Sequence, residues 1–218
     1  MDLAAVVFDL DGVLVDSEQL WDEVRRQVAR EWGGRWTDEA TGAMQGMSTP
    51  EWARHMVEQV GVRGTPDEVA AEVIRRMGDR YRREEVPLLP GAVEAVWALS
   101  ERWPLGVASS SPPDLIRVVL DAAGIADRFR AVVSSEQVRR GKPAPDVYLA
   151  AAAELGVPPE RCVAIEDSAN GLRAAAAAGM TVVAVPNPHY PPPPDALALA
   201  AVTVDTVAKV TPELLASL

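Results

Sequence analysis

The chain has 218 residues, 48% hydrophobic and 24% charged, which fits one or two compact globular domains and excludes both wholesale disorder and a disulfide-stapled miniprotein. Its 32 acidic residues against 21 basic ones give a formal net charge of −11, a poor match for nucleic acid or an anionic membrane, both of which demand a basic face. The single Cys162 excludes an intrachain disulfide, no apolar run approaches the roughly 18–20 residues of a membrane span, and the N-terminus lacks the pattern of a signal peptide, so a cytoplasmic protein is expected.

In chain order, Leu3–Phe8 is a β-branched apolar run cut off by Asp9-Leu-Asp-Gly12. It reads as a buried parallel strand ending in a turn, although run length alone also suits a buried helix. From Ser17 to about Glu85 charges become dense and the apolar spacing turns helical. Ser17 is placed to cap a helix carrying Leu20, Trp21, Val24 and Val28, with Gly33-Gly34 ending it. A second helix starts near Pro50, with Trp52, Met56 and Val60 inward. Thr65-Pro66-Asp67-Glu68 is a capping box that opens a third, running to about Tyr81.

Beyond Pro90, helices alternate with short apolar strands. Helices are expected at 91–102, 112–123, 145–155 and 168–178, and strands at 105–108, 131–133, 162–165, 181–185 and 201–204. That alternation predicts an α/β fold, a Rossmann-like parallel-sheet core with helices on both faces. Residues 1–16 and 87–218 form this core, and 17–86 form an inserted all-α cap. Short links near Asp16–Glu18 and Glu85–Pro87 are expected to let the cap swing over the core and exclude water. The tract Pro191–Pro194 reads as a stiff surface loop.

Open α/β sheets bind ligands beyond the carboxyl ends of their strands. Those ends here deliver Asp9 and Asp11, with Asp16 nearby, then Ser109-Ser110-Ser111, Gly141-Lys142-Pro143 and Glu166-Asp167-Ser168. Crowded carboxylates repel unless a cation sits among them, and a hard, oxygen-liking ion, Mg²⁺ where phosphate is also bound, is the economical answer. With a serine, loop N–H groups and a lysine beside it, the set describes a phosphoryl-transfer site. An aspartate is the natural nucleophile, attacking phosphorus to give an aspartyl-phosphate, and a second carboxyl two residues on serves as acid and base.

The segment Phe8-Asp-Leu-Asp-Gly-Val-Leu-Val-Asp-Ser17 resembles the first motif of the haloacid dehalogenase superfamily, in its subgroup with a helical cap after strand one. Ser109 is similar to that family's second motif, Lys142 in Gly-Lys-Pro-Ala-Pro-Asp146 to its third, and Ile-Glu-Asp-Ser-Ala-Asn-Gly171 to its fourth. The resemblance runs in order along essentially the whole chain. It implies Asp9 as nucleophile and metal ligand, and Asp11 as acid and base with its backbone carbonyl on the metal. It also implies Asp167 as a direct Mg²⁺ ligand, Glu166 as a direct or water-mediated one, and Ser109, the N–H of Ser110 and Lys142 as phosphoryl ligands. From the cap, Trp21, Gln45 and Met47 are expected to face the leaving group.

The expected enzyme is a Mg²⁺-dependent phosphatase, acting as a monomer on a small phosphorylated metabolite such as a sugar phosphate. The alternative within the family is a β-phosphoglucomutase-like enzyme. Spacing places Trp21, Gln45 and Thr49 where such mutases carry basic and histidine side chains, and Pro112 where they carry Lys. Losing at these positions the basic groups that would grip a second phosphate favours hydrolysis. An alternative of another class is a non-catalytic receiver-like module phosphorylated on Asp9, which would lack both the 70-residue helical lid and the role of Asp11. Blander readings exist for each residue: Asp9 and Asp11 as a turn, Ser109 or Ser111 as a helix cap, Lys142 as a solvated charge, and Glu166-Asp167 as partners of a helix dipole. Cys162 reads as an inert buried thiol, His55 and His189 as non-ligands, and most cap tryptophans as core.

Overall fold

A computed structural model of the chain describes residues 2–44, 47–83, 87–188 and 191–218. Strand β1 (Ala5–Phe8) is followed by four helices, α1 (Glu18–Glu31), α2 (Asp38–Met44), α3 (Thr49–Glu58) and α4 (Pro66–Arg82), before the chain returns to the sheet. Then come α5 (Ala92–Ser100), β2 (Leu105–Ser109), α6 (Pro113–Ala122), β3 (Phe129–Ser134), α7 (Asp146–Leu155), β4 (Cys162–Glu166), α8 (Ala169–Ala177) and β5 (Thr181–Ala184). A short helix α9 (Pro194–Leu197), strand β6 (Val202–Thr203) and helix α10 (Pro212–Ala216) complete it.

The six strands are all parallel, in the order β3-β2-β1-β4-β5-β6. The chain therefore winds one way from β1 through β2 to β3, then crosses back to lay β4 on the other side of β1. Such a reversal opens a crevice at the carboxyl ends of the two strands flanking it. Register brings Phe8 level with Ile165, so the residues after both strands emerge side by side.

The period of two along each strand divides the core. Val6 and Phe8 of β1 and Val163 and Ile165 of β4 face one layer, which continues without a break into the helical insert through Leu20, Trp52, Met56 and Met77. Ala5, Val7, Cys162 and Ala164 face the other, an alanine-rich layer under α7 and α8. Small side chains there let the helices lie close to the sheet. Burial raises the Cys162 thiol to about 11, in keeping with an inert side chain.

In the insert, the capping box at Thr65 and Glu68 is formed as read. Helix α2 has no counterpart in the sequence reading. It is seven residues long and buries only Ala40, Thr41 and Met44, too little periodicity to see. Tertiary bonds hold it: the Thr41 hydroxyl donates to Asp22 at 2.6 Å and accepts from the Trp36 indole at 3.1 Å. The links joining insert and core run antiparallel, tied by Asp16 N–H to Pro87 C=O at 2.9 Å and Leu89 N–H to Leu14 C=O at 3.0 Å. Residues 84–86 of the second link, like Gln45 and His189, lie outside the described residues.

Candidate active site

Beyond β1 the chain makes a tight loop in which Leu14 and Val15 N–H return to the carbonyl of Leu10. Gly12 turns it with φ +83°, and a Cβ there would collide with the carboxylate of Asp167. Glycine is thus required twice over, for its backbone angle and for the approach of the β1 loop to the β4 loop. Gly171 permits a close approach alone, in the first turn of α8, where a Cβ would overlap the Glu166 carboxylate.

Lys142 and Glu166 are fully buried and lock together. The ammonium donates to Glu166 Oε1 at 2.6 Å and to Asp9 Oδ1 at 2.9 Å. Tyr148 also donates to Glu166 Oε1, at 2.8 Å, and its ring lies 5.1 Å from the ammonium. The other oxygen, Oε2, accepts from the N–H groups of Asp167 and Ser168 and from the Ser168 hydroxyl, at 3.0–3.2 Å. Five donors therefore fix Glu166. Burial alone would neutralise Lys142, but Asp9 and Glu166 outweigh it and hold the ammonium charged beyond the ordinary lysine range.

One lysine does not balance three buried carboxylates. Asp9, Glu166 and Asp167 each offer an oxygen, all within 4.8 Å of one another. Burial, then the charge of Glu166, raises Asp9 to about 8 despite Lys142, and burial with Glu166 and Asp9 raises Asp167 well above its ordinary value. Asp167 Oδ1 is buried without a hydrogen-bond partner among the described residues. An orphaned carboxylate oxygen among acids that resist ionisation is what a divalent cation's ligand set looks like before the cation is added, because the ion's charge inverts the local pKa logic. The donor set is all oxygen, as a hard cation requires.

Asp11 points the other way, toward the insert. Its Oδ1 accepts from the Ser17 hydroxyl and, at 3.1 Å, from Trp21 Nε1, and its Oδ2 accepts from the Ser111 hydroxyl at 2.7 Å. This corrects the reading of Ser17 as a helix cap: it occupies the cap position of α1 but makes no side-chain cap bond, since the carboxylate is the stronger acceptor. In the serine loop, Ser109 Oγ accepts from the N–H of Ser111 at 3.0 Å, while Ser110 and Ser111 reach the cleft. Of the other expected residues, Trp21 and Met47 line the cleft and Asp16 does not.

The cleft wall facing these acids comes from the insert, and most of it escaped sequence reasoning: Glu18, Arg25, Met44 and Trp52 join Trp21 and Met47. Burial, then Asp11, raises Glu18 to about 7 against the pull of Arg25. Arg25 brings a basic side chain to the cleft from a position that the spacing comparison at 21, 45 and 49 did not consider. The signal was present, since 18, 21 and 25 recur at i, i+3 and i+7 on one helical face. Nothing in the spacing said which face meets the core.

The profile of the haloacid dehalogenase-like hydrolases matches residues 3–179. The chain belongs to that family. It is 38% identical to hexitol phosphatase B of Escherichia coli (strain K12), over 86% of this chain and 85% of that one. It is 34% identical to a probable pseudouridine-5'-phosphatase of Drosophila melanogaster, over 84% and 81% of the two chains. The crystal structure of CbbY from Rhodobacter sphaeroides in complex with phosphate superposes with a TM-score of 0.84 at 26% identity, covering 95% of this chain and 96% of the other. Within the family the protein is an enzyme of the phosphatase type.

Proposed function

We propose that this enzyme is a Mg²⁺-dependent phosphatase that hydrolyses a small phosphorylated metabolite, a sugar or polyol phosphate, through an aspartyl-phosphate on Asp9. The observation that carries the reading is the pairing of two aspartates two residues apart with opposite surroundings. Asp9 sits among acids beside a buried ammonium, and Asp11 faces the cleft held by three donors. Asp9, Asp167 and Glu166, with the Asp11 carbonyl, would hold the cation. Bound there, Mg²⁺ would neutralise the carboxylates and the charge on the phosphoryl oxygens.

An Asp9 carboxylate oxygen attacks phosphorus as the bond to the leaving oxygen breaks, and the Asp11 carboxyl gives that oxygen its proton. In the second half, Asp11, now a carboxylate, takes a proton from water as the water oxygen displaces Asp9 and releases phosphate. Ser111 and Trp21 keep the Asp11 carboxyl aimed at the leaving oxygen. Lys142 orients Asp9 from beneath and would offset the transferring group's charge, and the serine loop that reaches the cleft would supply N–H donors. Hydrolysis rather than mutase chemistry is favoured by the relatives named as phosphatases at 34–38% identity.

Steady turnover of p-nitrophenyl phosphate is expected with Mg²⁺ and not with excess chelator, and Asp9→Asn should lower it by about 10³-fold or more. Activity retained in that variant, with contaminating phosphatase excluded, overturns the mechanism. Release of at most one equivalent, without turnover, would instead restore the receiver-like reading.

A further inference from the structure

Arg25 is 8% exposed and its guanidinium makes no hydrogen bond or ion pair with any described residue. Its Nε is wholly buried. It lies against two neighbouring indoles, 4.9 Å from the ring of Trp21 and 5.0 Å from that of Trp52, whose own centroids are 6.2 Å apart. Desolvation lowers its pKa against the pull of Glu18, Asp11 and Asp22, none of which it touches. It is the one basic residue among those lining the cleft.

A buried charge without a partner is costly, and an apolar side chain would fill the space beside two tryptophans better. Two cation–π contacts hold the guanidinium in place while its N–H donors have no hydrogen-bond partner among the described residues. A fixed planar fork with free donors is the shape that takes the oxygens of a carboxylate or phosphate in pairs. Its position says which part of a substrate would supply them. Trp21 touches Asp11 with its indole N–H and Arg25 with its ring face. Arg25 therefore stands one indole away from the group that protonates the leaving oxygen, on the leaving-group side of the cleft.

We propose that Arg25 is a specificity-determining residue that pairs with an anionic group, a carboxylate or a second phosphate, carried on the leaving group of the substrate. The proposal rests on the phosphatase reading above and narrows its substrate class from phosphorylated polyols in general to those with a second negative charge.

Matched substrates test it. Sorbitol 6-phosphate and 6-phosphogluconate differ in a terminal hydroxymethyl against a carboxylate; fructose 1-phosphate and fructose 1,6-bisphosphate differ in the second phosphate. The wild-type enzyme is expected to favour the charged member of at least one pair by about tenfold or more in kcat/KM, and the pair identifies the anion. Arg25→Gln should erase that preference, mainly through KM, and Arg25→Lys should keep part of it. Should the variants fold poorly, gluconate against sorbitol as inhibitors of wild-type p-nitrophenyl phosphate hydrolysis asks the same question, with phosphate as the control. The proposal is overturned if in both pairs the neutral members are turned over as well as the charged ones, if Arg25→Gln keeps the preference, or if neither gluconate inhibits better than sorbitol nor fructose 1,6-bisphosphate competes better than fructose 1-phosphate. Absence of hydrolysis of every ester, p-nitrophenyl phosphate included, instead brings down the phosphatase reading beneath it.

Discussion

The floor and the wall of the cleft are built on opposite terms. On the floor, at the ends of β1 and β4, charges are tied: Lys142 to two carboxylates and Glu166 to five donors. On the wall, contributed by α1 and the helices after it, Arg25 is unpaired, and Trp21, Trp52, Met44 and Met47 offer surface more than bonds. The difference separates two tasks. Chemistry requires groups fixed before the substrate arrives. Selection among leaving groups requires donors still free when it does.

The sharpest way to break this comparison is to untie the floor. Lys142→Met leaves Asp9 and Glu166 buried without a counter-charge, and in metal-free buffer it should cost about 3–5 kcal/mol of stability at pH 8. The cost should shrink at pH 5. Carboxylates whose folded pKa lies above the unfolded value bind protons in the native state, so the penalty grows as pH rises from the unfolded value toward the folded one. Chemical denaturation at the two pH values measures it, and equal losses at both would contradict the tied-charge picture.

A smaller effect should follow from crowding the floor. Gly12→Ala drives a methyl group into Asp167 on a backbone at φ +83° and is expected to reduce kcat by about 10²-fold through misplacement of the carboxylates. Gly156 has φ +70° with nothing within 4 Å of a Cβ. Gly156→Ala therefore carries similar backbone strain, about 1–2 kcal/mol, without the collision, and should leave kcat unchanged. Similar kinetics in both variants would trace the loss to backbone strain alone.

On the wall, the smallest effect sharpens the contrast. Glu18 has its pKa raised from 4.5 to about 7, so in metal-free protein its ionised form weakens the fold. The sign is that of any raised carboxyl: stability is highest below the unfolded pKa and falls as pH rises through the folded one. Glu18→Gln should then gain about 1–2 kcal/mol at pH 8, less than the full shift implies because the side chain is partly exposed, and nothing at pH 4. Thermal melts across that range show it as a curve flatter than the wild type's. A gain independent of pH would mean that packing, not ionisation, is responsible.

The floor was legible because each piece is a few adjacent residues following an apolar run. Asp9-Leu-Asp-Gly12 and Glu166-Asp167-Ser168 announce themselves as turns beyond strands, and parallel pairing brings their ends together. Ser111 and Tyr148 were not legible as partners of Asp11 and Glu166, since they stand 100 and 18 positions away and only the sheet order joins them. The wall was readable as helices but not as a surface. Helix α2 was missed because its stability comes from Asp22 and Trp36 rather than from its own periodicity.

By itself, then, the sequence determined the α/β core, the run of helices after its first strand and the placing of Asp9 and Asp11 in the turn beyond that strand. Local propensity and short motifs specify elements whose partners lie close along the chain or at the ends of aligned strands. Only the tertiary structure decided that Lys142 is a tied ammonium at the bottom of the site and that Arg25, about two turns into α1, is a cation at its wall without a hydrogen-bond partner among the described residues. Whether a charge is spent on its neighbours or left for a ligand depends on burial and on which helix faces which loop, and no spacing along one chain encodes that.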